Sequence, residues 1–139
     1  MKRLLRITLP AKLENLGKFV ESVSDCARRQ DFDEKKIKEI ELATEEALVN
    51  ICSYAYPEEP GDVEINCKIE NDRLIIEIID SGIPFDMTSL PDPDLTAGID
   101  ERKMGGLGVF FIKKLTDEVR YRREHDRNIL NLIIKKEKG

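Results

Sequence analysis

The chain alternates between two hydrophobic periods. "RLLRITL" places Leu5, Ile7 and Leu9 on one side and Arg6 and Thr8 on the other, the period of two expected of a half-buried strand, which ends at Pro10. From Lys12 to Arg29 the apolar positions Leu13, Leu16, Val20, Val23 and Ala27 fall three and four apart, which predicts an amphipathic helix. A second helix is predicted over "DFDEKKIKEIELATEEALVNICSYAY". Asp33 is its candidate N-cap, and Ile37, Ile40, Ala43, Ala47 and Ile51 form its inward stripe. The prolines and glycine of "YPEEPGD" stop it. "VEINCKIE" and "RLIIEIID" follow as a hairpin across "NDR", with Val63, Ile65, Cys67 and Ile69 on one face and Leu74, Ile76 and Ile78 on the matching one. After a long polar stretch, "LGVFFIKKL" reads as a helix entered through glycines, with Phe110, Phe111 and Ile112 as core candidates. "DEVRYRRE" and "NILNLIIKK" read as a closing hairpin across "HDR".

The order is therefore β-α-α-β-β-loop-α-β-β. Hairpin-linked strands with helices left to cover one face predict an α+β two-layer sandwich on a mixed, mostly antiparallel sheet. The 139 residues read as a single domain, 1–139, with no repeat and no dividing linker.

Composition narrows the function. With 37% charged and 40% hydrophobic residues the chain has the balance of a soluble globular protein. Its net charge of −5 lacks the basic footprint that direct nucleic-acid or membrane-surface binding requires. No apolar run is long enough to span a bilayer, and "MKRLLRITLPAKLEN" has too broken an apolar run for a secretory leader; a cytoplasmic location is the expectation. Cys26, Cys52 and Cys67 are an odd set without a C-x-x-C, read as reduced thiols, and only the lone His125 could add a nitrogen ligand to them.

Three stretches could carry chemistry. In "EEALVN", Glu46 and Asn50 are four apart and share a helix face, while Glu45 points about 100° away. A carboxylate beside an amide suits a metal-phosphate site: the amide oxygen can ligate Mg²⁺, and the carboxylate can orient or deprotonate a nucleophile. Taken alone, the pair is better explained as a solvated helix face with a local hydrogen bond. In "DSGIPFD", Asp80 ends a very apolar strand and could accept a hydrogen bond from an amino-bearing heterocycle, with Gly82 allowing close backbone approach; an Asx turn is the plain alternative. In "KMGGLGVFFIKKL", Gly105, Gly106 and Gly108 precede a helix whose N–H groups could hold phosphate. The Gly-Lys-Ser/Thr element of a Walker A loop is absent from it. The intervening residues 81–106 are long for a connection, and such loops are usually functional.

Taken together and in this order, the three stretches resemble the Bergerat-fold (histidine-kinase-like) ATPases, and among them the small anti-sigma-factor serine kinases. "EEALVN" is similar to the family's N box, "DSGIPFD" and "GGLGVFFIKKL" to its two glycine boxes, and "PDPDLTAGIDERKMGG" to its ATP lid. The resemblance spans residues 5 to 137 or so. It implies that Asn50 coordinates Mg²⁺ on the phosphates of ATP and that Glu46 is the general base. It also implies that Asp80 accepts from the adenine amine above Gly82, and that Gly105, Gly106, Leu107 and Gly108 hold phosphates beneath the lid. Lys103 or Arg102, by lid position, could offset γ-phosphate charge. The implied acceptor is a serine of a STAS-type anti-sigma factor antagonist, with a sigma factor as second partner and a homodimer formed through the first strand. The chain departs from the family's pattern in two places. The first helix has no arginine before Arg28 and Arg29, and the last strand offers Asn131 where a threonine often lies beneath adenine. A nucleotide-dependent interaction switch without phosphate transfer, or a regulatory ATP-binding subunit, remains the alternative.

Overall fold

The structure, a computed structural model, describes residues 2–89 and 106–136, with backbone alone at 106 and 107. The expected strands and helices are present. Strands β1 (Lys2–Pro10), β2 (Asp62–Glu70), β3 (Arg73–Asp80), β4 (Glu118–Glu124) and β5 (Arg127–Lys135) form one sheet in the order β1-β2-β3-β5-β4. Among the described residues the α-helices are α1 (Leu16–Arg29), α2 (Glu34–Tyr54) and α3 (Gly106–Leu115), and α2 packs between α1 and α3. A 3-10 turn, Leu13–Asn15, takes up the first residues expected of α1, and Asn15 Nδ2 donates to the Pro10 carbonyl at 2.9 Å to close it.

The α+β sandwich is as the pattern predicts, but the sheet is antiparallel in all four pairings rather than mixed. Two helices connect β1 to β2, which returns the chain in the opposite sense. Strands β3 and β4 do run the same way, yet β5 lies between them and pairs with both, so no parallel ladder forms between those two.

Both hairpins turn through two residues with positive φ, Asn71 and Asp72 in one, His125 and Asp126 in the other. Those are the backbone values of the tight turn whose twist matches paired strands, and after glycine Asn and Asp tolerate them best. His125 stands at its hairpin tip with its side chain 83% exposed.

The core lies between the helices and the inner face of the sheet. Phe19 and Val23 from α1, Ile37, Ile40 and Leu48 from α2, and Ile65, Leu74, Ile76, Ile78, Leu132 and Ile134 from the strands are all but fully buried. Each such side chain contributes about 1.5–3 kcal/mol on leaving water. Of the three core candidates in α3 only Ile112 is buried; Phe111 is 39% exposed and Phe110 partly so, stacked edge-on against each other. Cys26, Cys52 and Cys67 are free thiols, the first and last buried.

Candidate active site

Helix α2 is set by its first turn. The Asp33 carboxylate accepts from the Lys36 N–H at 2.8 Å, satisfying one of the N–H groups that a helix start leaves without a partner. From there the stripe Ile37, Ile40, Ala43, Ala47 and Ile51 faces the core. That phase decides where the two glutamates go. Glu45 is exposed, whereas Glu46 is half-buried and shares its face with Asn50, which is 4% exposed. Both face the start of α3: a Cβ placed on Gly108 would stand 2.7 Å from Glu46 Oε2 and 3.7 Å from Asn50 Nδ2. Burial, and secondarily the charge of Glu45, raises the pKa of Glu46. Among the described residues Asn50 Nδ2 has no hydrogen-bond partner. An orphaned buried amide costs about 1–3 kcal/mol, and its two ends exchange by a half-turn. It can thus offer nitrogen to a phosphate oxygen or oxygen to a hard cation. The half-buried carboxylate, the free amide and the glycine cradle together fit a Mg²⁺-phosphate group.

Asn50 also lines a small cavity, and Asp80 closes its other end. Asp80 is 5% exposed, and its Oδ1 accepts from the Gly82 N–H at 2.9 Å and from Asn128 Nδ2 at 2.9 Å. Burial pushes its pKa up; Asn128, the Gly82 N–H and the charge of Arg123 pull the other way. Gly82 is required by space, since a Cβ there would lie 2.2 Å from the Ala55 carbonyl oxygen, which the Ile83 N–H bonds at 2.9 Å. The turn after β3 is therefore clamped to the end of α2. Tyr56 adds a second clamp: its hydroxyl donates to the Asp62 carbonyl at 2.7 Å and accepts from the Ser81 N–H at 2.8 Å. Between Asn50 and Asp80 the cavity is walled by Ile51, Phe85, Met87 and Leu130 and has a volume of about 10 Å³, the space of one water.

The fold brings Glu46, Asn50, Asp80, Gly82 and Gly108 to one region, and Gly106 opens α3 beside it. Lys103, Arg102 and Gly105, with the lid, lie outside the described residues, as does the side chain of Leu107. Asn131 is a correction. In β5 the core residues are Leu130, Leu132 and Ile134, so the alternation turns Asn131 to the opposite face, across from Glu77 and Arg120. The polar residue of β5 that reaches Asp80 is Asn128. Tyr121, whose hydroxyl bonds Asn128 at 2.6 Å, and Arg123, whose guanidinium donates to the Gly82 carbonyl at 2.8 Å, are further site residues that no motif marked. The parity of β5 carried the only signal. Ile129 and Ile133 make its second face apolar too, so the strand by itself does not say which asparagine points inward.

Residues 9–134 match the family model described as the histidine kinase-like ATPase domain. The chain belongs to that family. Among histidine kinase-like relatives, a protein of Halalkalibacterium halodurans named serine-protein kinase RsbW is 34% identical over 124 residues, covering 86% of this chain and 76% of the relative. A Bacillus cereus protein of the same name is 28% identical over 130 residues, covering 91% of this chain and 81% of its own. The fold is also that of a chain in the crystal structure of the SiaB-SiaC complex from Pseudomonas aeruginosa, with a TM-score of 0.69, 15% identity, and coverage of 96% of this chain and 90% of that one.

Proposed function

We propose that this histidine kinase-like ATPase domain is an ATP-dependent protein serine kinase and anti-sigma regulatory factor whose acceptor is a serine of a STAS-type anti-sigma factor antagonist. The observation that carries the reading is the convergence of Glu46 and Asn50 on Gly108, with Asn50 also lining the cavity that Asp80 closes. Its further support is membership in an ATPase family with relatives named serine-protein kinase.

In this reading Asp80 accepts from the 6-amino group of adenine, and Ile51, Met87 and Leu130 wall the base. The cavity is narrower than a base, so part of its wall, Phe85 and Met87, would have to be displaced for a base to enter. Asn50 would hold Mg²⁺ with its amide oxygen, and the ion would supply charge neutralisation at the phosphates. The N–H groups at the start of α3 hold phosphate oxygens, with Gly108 leaving room for the Glu46 carboxylate. Glu46 takes the proton of the acceptor serine as its Oγ bonds the γ-phosphorus and ADP leaves. Phosphoryl transfer asks for little more than this positioning and charge neutralisation. Lys103 belongs to the same reading as a lid cation, Gly105 and Leu107 as phosphate-side backbone. A sigma factor would be the second partner, and the cytoplasm the place of work. The unshared edge of β1 would pair two copies into a homodimer.

One feature favours a second reading. Arg28, the first arginine of α1, is held by Asp25 at 3.5 Å and Glu34 at 3.3 Å, which leaves α1 without an unengaged arginine ahead of Arg29 for partner binding. A switch that binds partners according to nucleotide, without transfer, would show ATP-against-ADP dependence of partner affinity and no phosphoserine. The deciding experiment is capture of partners from the native cell in Mg-ATP followed by phosphosite mapping. The kinase reading expects one phosphoserine on a STAS protein. A captured partner that stays unphosphorylated sinks it.

A further inference from the structure

Four large apolar side chains stand exposed among the described residues: Leu13, Leu42, Ile83 and Phe111. A single exposed leucine is ordinary on a protein surface, but Leu42 and Phe111 are placed by the same contact that makes the site. Gly108 meets Glu46, where an added Cβ would stand 2.7 Å from Oε2, and this fixes the register of α3 against α2. The two helices run in opposite senses. Helix α2 ends near the close of β3, where the Ala55 carbonyl accepts from the Ile83 N–H. Helix α3 leads away from there into β4, whose first residue Glu118 pairs with Ile133 and so lies level with Ile75 near the start of β3. Leu42 stands one turn before Glu46 on α2, and Phe111 nearly one turn after Gly108 on α3. In antiparallel helices those offsets point the same way, so the two residues come level on one side of the Glu46 carboxylate. Leu42 lies about 40° around α2 from Glu46, and Phe111 about 60° around α3 from Gly108, both toward solvent. Phe110 braces the Phe111 ring edge-on at 5.8 Å, and the Lys114 ammonium sits 5.5 Å over Phe110.

Resting on the kinase reading above, we propose that Leu42 and Phe111 form the docking surface for the acceptor segment, and that the protein substrate carries a large apolar side chain beside the serine it presents. The reason is reach. A hydroxyl that gives its proton to Glu46 must come within hydrogen-bond distance of that carboxylate, so the residues flanking the serine lie on the surface that adjoins it. One flank of that surface is the apolar pair. An apolar side chain laid there leaves water together with Leu42 and Phe111, whereas a charged one would lose hydration and gain no partner. The pair orients the serine and takes no part in the transfer itself.

The probe is the STAS protein captured in Mg-ATP, purified and offered to the full chain at graded concentrations. Leu42→Gln and Phe111→Gln remove the apolar surface without adding charge beside Glu46. Each is expected to raise the KM for the acceptor about tenfold, while kcat and the dissociation constant for ATP stay within about twofold of wild type. Leu42→Met keeps the apolar surface and should keep the KM. Replacing the large apolar residue nearest the labelled serine with glutamine should raise the KM of wild type to a similar degree, and have little further effect on a chain carrying both substitutions. An unchanged KM in folded Leu42→Gln or Phe111→Gln overturns the assignment while leaving the kinase reading in place. So does a fall in native mass from dimer to monomer, which would make the pair an interface between copies. A captured protein that carries no phosphoserine removes the kinase reading and this one with it.

Discussion

At the scale of single residues, the two adjacent glutamates of α2 are distinguished by a rotation of about 100°, which makes one exposed and the other a half-buried neighbour of Asn50. Glu46→Ala is expected to reduce serine labelling by about 10²–10⁴-fold and to leave ATP affinity near wild type; labelling that persists removes Glu46 as the base. The pH dependence follows from the same burial. A base works ionised, so the transfer rate should fall as pH drops through the pKa of Glu46, which burial and then the charge of Glu45 hold above the ordinary carboxylate range. Glu45→Gln removes the smaller cause, so the acid limb of the pH–rate profile should move to lower pH with the plateau kept. A limb that stays in place would show that Glu45 does not tune the base. Gly108→Ala separates stability from function. Alanine in a helix is favoured over glycine by about 0.5–1 kcal/mol, while the added methyl meets the movable tip of Glu46 at 2.7 Å. Thermal stability should hold or rise and the labelling rate should fall; a variant with unchanged rate would mean that the Glu46 carboxylate need not stand there.

At the scale of elements, α2 carries the site because its cap and its stripe agree on one phase. Asp33→Ala should lower stability by about 1 kcal/mol, read as a fall in melting temperature of roughly 3–5 °C for a domain of this size; no fall would mean that the cap bond at 2.8 Å contributes nothing. The turn after β3 is the more sensitive element. Gly82→Ala presses a methyl against the backbone carbonyl of Ala55, which cannot rotate away, so a loss of about 1–3 kcal/mol is expected together with weakened ATP binding. Helix phase and hairpin turns were legible in the sequence because they depend on near neighbours: a stripe three and four residues apart, or two residues that accept positive φ. The inward face of β5 was not. Leu130, Leu132 and Ile134 alternate with Ile129 and Ile133, both sets apolar, and only the helices packed on one side decide between them. The expectation that Asn131 lies beneath adenine fails on that ambiguity. The absence of a parallel ladder was likewise settled by the insertion of β5 between β3 and β4, a long-range choice.

At the scale of the whole molecule, site and stability oppose each other at Asp80. Its folded pKa is raised chiefly by burial. A group shifted in that direction contributes stability that is present below the unfolded pKa of about 3.9 and is lost as pH rises through the folded value. At neutral pH the ionised carboxylate is therefore a cost to the fold. Asp80→Asn retains both acceptor contacts and removes the charge, so the nucleotide-free protein should melt higher than wild type at pH 7 and show no gain at a pH below the carboxylate range. An equal shift at both pH values would show that burial of the charge is not the cause. The sequence by itself determined the period of each element, the caps and turns that bound them, and the i, i+4 pairing of Glu46 with Asn50, because each of these is a relation among residues close along the chain. Only the tertiary structure decided that α3 sets Gly108 against that pair, and that Asn128, 48 residues beyond Asp80, fastens its carboxylate. Those contacts depend on how three helices settle on one sheet face, and local propensity carries no term for that.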